Sequence, residues 1–158
     1  MENRAGGVRG TVLAWGVGGV IFVALVWGLA TFFKVRLLDF EHYLEAAKLI
    51  GQGQNPYGVV EFFAPPWFAW GMWPFLVLPE KYAVAVWVLL NLGAVSAATF
   101  LAIEWVQVSR PRMRLFLVGL TPIFLPGALF SYITGQGSPL VNLALLGAAW
   151  GVANGGTT

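Results

Sequence analysis

The sequence predicts an all-α fold: a polytopic transmembrane helical bundle of about four to five membrane segments, with an amphipathic juxtamembrane helix in its first external loop. Three observations predict it. Of the 158 residues, 58% are hydrophobic and only 10% charged, where an ordinary soluble domain carries about 25% charged residues. All nine basic and seven acidic side chains fall outside four stretches, 11–33, 82–103, 115–134 and 135–158. At about 1.5 Å per residue the longest of these runs match a hydrocarbon core of roughly 30 Å. The same composition excludes other classes. A net charge of +2, scattered along the chain, does not suit nucleic acid. Without cysteine there is no disulfide, thiol nucleophile or thiolate metal site. A lone His42 cannot build a zinc site; no metal site and no cofactor are expected from these residues, while Asp39 and Glu41 could contribute to a metal site only together with residues from outside this chain.

The whole chain, 1–158, reads as one membrane domain. The first apolar run, 11–33, exceeds the roughly 7–15 residues of a signal-peptide core and ends without a small-residue cleavage site, which predicts a retained signal anchor. Arg4 and Arg9 before it favour a cytoplasmic N-terminus. Its Gly16, Gly18, Gly19 and Gly28 suit close helix packing. The polar segment 34–64 follows as an external loop. Within it Leu38 to Ile50 suit an amphipathic helix lying near the membrane plane, with Leu38, Leu44, Leu49 and Ile50 apolar and Glu41, Glu45 and Lys48 at spacings of three and four. Gly51 to Pro56 break it. Segment 65–78 opens on Pro65-Pro66 and contains Pro74. It is either a short span or a re-entrant hairpin sheltered by other helices. A regular span is expected over 82–107, with a small-residue seam at Gly93, Ala94, Ala97, Ala98 and Ala102. Another covers 115–134, bent by Pro122 and Pro126, and a last one covers 139–153.

Arg110, Arg112 and Arg114 form the densest basic cluster and belong inside by the positive-inside rule. If 65–78 is re-entrant, that rule holds and Asp39 and Gln136 share the outer side. If 65–78 spans fully, they part.

The candidate chemistry lies in the loops. In a helix, Asp39, His42 and Tyr43 would share one face. A partly desolvated interfacial carboxylate can act as a general base, although a juxtamembrane helix with polar residues facing water and headgroups fits the same pattern. Asn55-Pro56-Tyr57 with Phe62-Phe63-Ala64-Pro65-Pro66 could wall a groove for a lipid or sugar. Trp67, Trp70 and Trp73 fit interfacial anchoring as well as a groove wall. The Gln136 amide, in the break between two apolar runs, could hold a sugar hydroxyl or a phosphate, or satisfy backbone freed by Pro139.

The order of these features, a first span, Asp39-Phe40 with Tyr43, Gly53, Asn55-Pro56-Tyr57, a Phe-rich run into Pro65-Pro66, Pro74, Leu78-Pro79, Trp87 to Asn91 and later Gly135-Gln136, resembles the family 87 glycosyltransferases. These are membrane enzymes of the GT-C fold class that use polyprenyl-phosphate sugars. The resemblance implies a hexose or pentose transferred with inversion from a lipid-linked donor to a lipid or glycan acceptor. Asp39 matches the family's acidic residue after the first span and would be the general base. Gln136 matches its later Gly-Gln element as a substrate contact. His42, Tyr43 and Tyr57 join it as candidate substrate contacts by proximity, without a family role. The implied setting is the plasma or inner membrane, with membrane lipids around the bundle. Family members are considerably longer, which implies that this is the N-terminal portion of such an enzyme. A missing C-terminal half or partner subunit would complete the donor pocket, and the chain alone could be inactive. The competing expectation is a non-catalytic multi-span subunit that packs into a larger complex.

Overall fold

The computed structural model describes residues 4–32 and 36–155. Phe33 and Lys34, where the first span was expected to give way to the loop, lie outside the described residues. The described chain is helical, without strands. The helices are α1 (Arg4–Phe32), α2 (Leu38–Gly51), α3 (Pro66–Gly71), α4 (Trp73–Leu76), α5 (Glu80–Trp105), α6 (Pro111–Phe124), α7 (Pro126–Thr134) and α8 (Ser138–Gly155), with a 3-10 turn at Pro56–Gly58.

Among the described residues, two helices are long and apolar enough to cross a membrane: α1 over Trp15–Phe32, and α5 over Glu80–Trp105. The count is three if α6 and α7, which meet at 48°, form one broken span. The expected four to five segments are therefore only partly met. Ser138, Asn142 and Asn154 dilute the apolar run of α8. Segment 65–78 divides into helices of six and four residues, and at about 1.5 Å per residue neither comes near a bilayer core.

Helix α5 is the axis of the bundle, packing against α1, α6, α7 and α8. Its 26 residues extend roughly 39 Å at about 1.5 Å each. Over Trp15–Phe32 helix α1 carries no charge on any side, and only 6% of that stretch is buried by the chain itself. A helix of that character takes its solvation from lipid or from further helices.

The break between α6 and α7 has a local cause. Proline disfavours helical backbone in the residue before it, and Leu125, preceding Pro126, is extended at φ −74°, ψ 115°. Pro122, by contrast, stays inside α6. The bend was expected from both prolines and comes at Pro126.

Helix α2 buries Phe40, Ala46 and Ala47, with Leu37 just before it. The apolar face was expected to use Leu38, yet Leu38 is exposed. The difference follows from docking: the helix seats on the α5 and α7–α8 corner, which lies on the Phe40 side. The Phe40 ring stacks on Trp87 at 5.2 Å between centroids and meets Phe75 edge-on at 5.5 Å. These residues join Met72, Ala83, Val84 and Val88 in the main core. Burying a large apolar side chain of this kind contributes about 1.5–3 kcal/mol.

The two ends of the bundle are chemically distinct. At one end Arg36 and Glu80 line a common pocket, so the chain from α2 through α4 leaves and returns to the same end. At the other end Arg114 pairs with Glu104, and Trp105 meets Trp150 at 6.4 Å. Helices α5 and α8 thus run the same way, with the α6–α7 pair returning between them.

Candidate functional site

The site is organised by Gly135. It ends α7 in a left-handed conformation, φ 84°, where a residue without Cβ is unstrained. The Gly135 and Gln136 N–H groups both donate to the Ser131 carbonyl, at 2.9 and 3.0 Å. The Gly135 carbonyl accepts from the Trp87 indole Nε1–H at 2.8 Å, a buried bond. A Cβ at position 135 would come within 2.8 Å of Leu37 Cβ and 2.9 Å of Phe40 Cβ. The turn and the start of α2 therefore touch through a missing side chain. That contact carries Asp39, next to Phe40, toward Gln136, next to Gly135.

The result is a cavity of about 430 Å³ lined by Asp39, Tyr43, Glu61, Phe63, Ala64, Gln136 and Ser138. Asp39 and Tyr43 stand one helical turn apart on α2, as spacing predicts. Ser138 opens α8 and lies 3.5 Å from the Gln136 Oε1, with its hydroxyl 3.1 Å from that of Ser131. The lining offers two carboxylates, an amide, a hydroxyl and a phenol. Among the described residues it holds no cation.

Tyr43 is half buried, and burial pushes its phenol above the usual tyrosine value of 10.0. The backbone N–H of Gly137 acts in the opposite direction, and the Asp39 charge adds a further upward push. Tyr43 is therefore a neutral hydrogen-bond donor rather than a base. Its ring packs edge-on against Phe68 at 4.9 Å, which fixes its direction.

His42 and Tyr57 do not line this cavity. His42 turns toward the loop, with Nδ1 4.0 Å from Glu61 Oε2; that nitrogen is buried and lacks a hydrogen-bond partner. Tyr57 sits exposed on the 3-10 turn, where its N–H donates to Asn55 Oδ1 at 3.1 Å and its ring lies 5.8 Å from Phe62. Of Trp67, Trp70 and Trp73, all substantially exposed, Trp73 donates to the Ala47 carbonyl at 3.2 Å and ties α4 to α2. Phe63 and Ala64 come from the run expected to wall a groove, whereas Glu61 and Ser138 are cavity residues that the motifs alone did not assign. Only Ser138, two residues beyond Gln136 at a helix start, carried a readable signal.

A second, mainly apolar cavity of about 760 Å³ lies between α5, α6, α7 and α8, walled by residues such as Val95, Ala98, Leu125, Ala128, Leu145 and Leu146. Gln136 and Ser138 line both cavities. A polar chamber at the end of the bundle thus shares a wall with an apolar groove along its side. No group of three or more His, Asp or Glu side chains able to hold a metal occurs among the described residues. No family model, curated protein or solved structure matches this chain.

Proposed function

We propose that this chain is the N-terminal portion of a membrane glycosyltransferase that moves a hexose or pentose from a polyprenyl-phosphate donor to a hydroxyl of a lipid or glycan acceptor. The observation that supports it is the shared cavity of Asp39 and Gln136, joined through Gln136 and Ser138 to a groove of the right character for an isoprenoid chain. An amphiphilic substrate needs that pairing of a polar chamber and an apolar channel.

In this reading Asp39 accepts the proton of the acceptor hydroxyl as its oxygen bonds to the anomeric carbon. The bond from that carbon to the phosphate oxygen breaks on the opposite face, the anomeric centre inverts, and polyprenyl phosphate leaves with the electron pair. Asp39 contributes by standing within reach of the hydroxyl. Gln136 and Tyr43 orient hydroxyls through neutral hydrogen bonds. In this reading the membrane segments are α1, α5, the α6–α7 pair and also α8, whose diluted apolar run packs along α5, with the N-terminus cytoplasmic and the Asp39 end of the bundle outside, in the plasma or inner membrane. Replacing Asp39 with Asn keeps the shape and removes the base. In membranes carrying the complete protein and a labelled polyprenyl-phosphate sugar, D39N should lower transfer by about 10²–10⁴-fold, the usual contribution of a positioned base. Transfer at the unaltered rate would reject the mechanism.

One observation favours a second reading, a non-catalytic subunit packing into a larger complex. Gly16, Gly18, Gly19 and Gly28 of α1, and Gly147 and Gly151 of α8, have no neighbour within 4 Å of an added Cβ. Small residues of this kind let helix backbones approach. The two readings separate if leucine at Gly18 and Gly147 abolishes co-purification of other membrane subunits while D39N changes nothing.

A further inference from the structure

Glu61 has no part in the chemistry just described, yet it lines the same cavity as Asp39 and Gln136. Its backbone is left-handed, φ 64°, a conformation that non-glycine residues rarely hold without a reason in the surrounding structure. That conformation turns the loop so that Phe62 enters the core beneath it, while the Glu61 side chain stays largely solvent-accessible, at 68% exposure. On its inner side stands His42, whose buried Nδ1 has no other partner.

We infer that Glu61 is a second ligand-holding residue of this cavity, selective for the paired hydroxyls of a neutral sugar. The selectivity follows from the lining. Carboxylates accept hydrogen bonds and cannot donate them when ionised, so Asp39 and Glu61 repel a phosphate. No cation among the described lining residues offsets that repulsion. A sugar supplies the missing hydrogens, and the rings of Phe63 and Tyr43 supply apolar surface for its C–H face. The phosphate of a lipid-linked donor then stays outside this chamber, with only the sugar or the acceptor inside. This deepens the glycosyltransferase reading and rests on it for the identity of the ligand, although binding itself is independent of turnover.

The test uses the purified full chain in phosphatidylcholine nanodiscs, titrated calorimetrically with probes that share a decyl chain: decyl glycosides of a hexopyranose and a pentofuranose, decyl phosphate and decyltrimethylammonium. At least one glycoside should bind, and E61Q should weaken it about tenfold, while decyl phosphate affinity is unchanged or improved. E61G, which relieves the left-handed backbone and also removes the carboxylate, should lose the same affinity and guards against misfolding of E61Q. The inference is overturned if neither variant alters glycoside affinity, if no glycoside binds, or if the ammonium probe alone depends on Glu61. Loss of transfer in D39N with unaltered glycoside binding in E61Q would sink this inference and leave the mechanism standing. Retained transfer in D39N with weakened binding in E61Q would do the reverse.

Discussion

At the scale of single residues, Tyr43 and Asp39 stand one turn apart on α2 and offer the cavity different groups, a phenol and a carboxyl group. Burial holds the Tyr43 phenol in its neutral form, and the Asp39 charge adds to that effect. The stability consequence has a definite sign. A phenol whose folded value lies above its unfolded value of 10.0 contributes stability that is fully present below about pH 10 and lost as pH rises through the higher folded value. Ultraviolet titration of the folded protein in detergent should therefore show a tyrosine that ionises later than a free one, and Y43F should delete that late component. A Y43F difference titration centred at or below pH 10 would contradict the buried placement.

At the scale of elements, the decisive feature is the α7–α8 corner. Ala at position 135 meets two obstacles: left-handed backbone, costing about 1–3 kcal/mol, and the Leu37 and Phe40 Cβ atoms inside 3 Å, adding about 1–3 kcal/mol of overpacking. Gly137 makes a useful comparison. Its Cβ would meet the end of the Phe68 ring at 2.9 Å, a group that can swing away, and no left-handed backbone is involved. Thermal unfolding in detergent should rank G135A well below wild type and G137A nearer to it. Equal losses would show that Gly135 is not the joint that holds α2 in place. Much of this level is readable from residues. Charge segregation and run length reveal α1 and α5, because a membrane core tolerates few charges. Glu41, Glu45 and Lys48 at helical spacing reveal α2. Pro126 reveals the broken α6–α7 pair. The buried face of α2 is not readable, since Leu38 and Phe40 are equally apolar and only the tertiary contact with Gly135 and Trp87 decides between them. Glu61 escapes notice for a related reason. It stands alone in a loop, with no periodicity to place it, and the left-handed turn that brings it to the cavity has no glycine to announce it. Asp39 and Gln136 stand out as isolated polar residues beside apolar runs, but their meeting depends on Gly135, whose role is visible only once α2 is seated.

At the scale of the whole molecule, the bundle has one end rich in loops and polar groups, with Asp39, Glu61, Glu80 and Gln136, and another carrying Glu104 and the Arg110 to Arg114 cluster. Helix α5 connects them directly, so a bilayer around its apolar length puts the two ends on opposite sides. In the proposed orientation, which follows the positive-inside rule, the arginine end faces the cytoplasm and the cavity faces outside, where the proposed lipid-linked donor and glycan acceptor would meet. The absence of cysteine makes the assignment directly measurable. Val60, exposed at the cavity end, and Arg112, exposed at the other, can each be replaced by a single Cys without disturbing the core. In right-side-out vesicles, a membrane-impermeant maleimide should label V60C at once and R112C only after permeabilisation. Labelling of both in intact vesicles would mean that α5 does not cross the membrane. Labelling of R112C alone would invert the bundle and put Asp39 in the cytoplasm. An inverted bundle would still have its cavity and its groove, but an acceptor on the outer surface could not reach them, and the chemistry proposed for Asp39 would need a cytoplasmic acceptor instead.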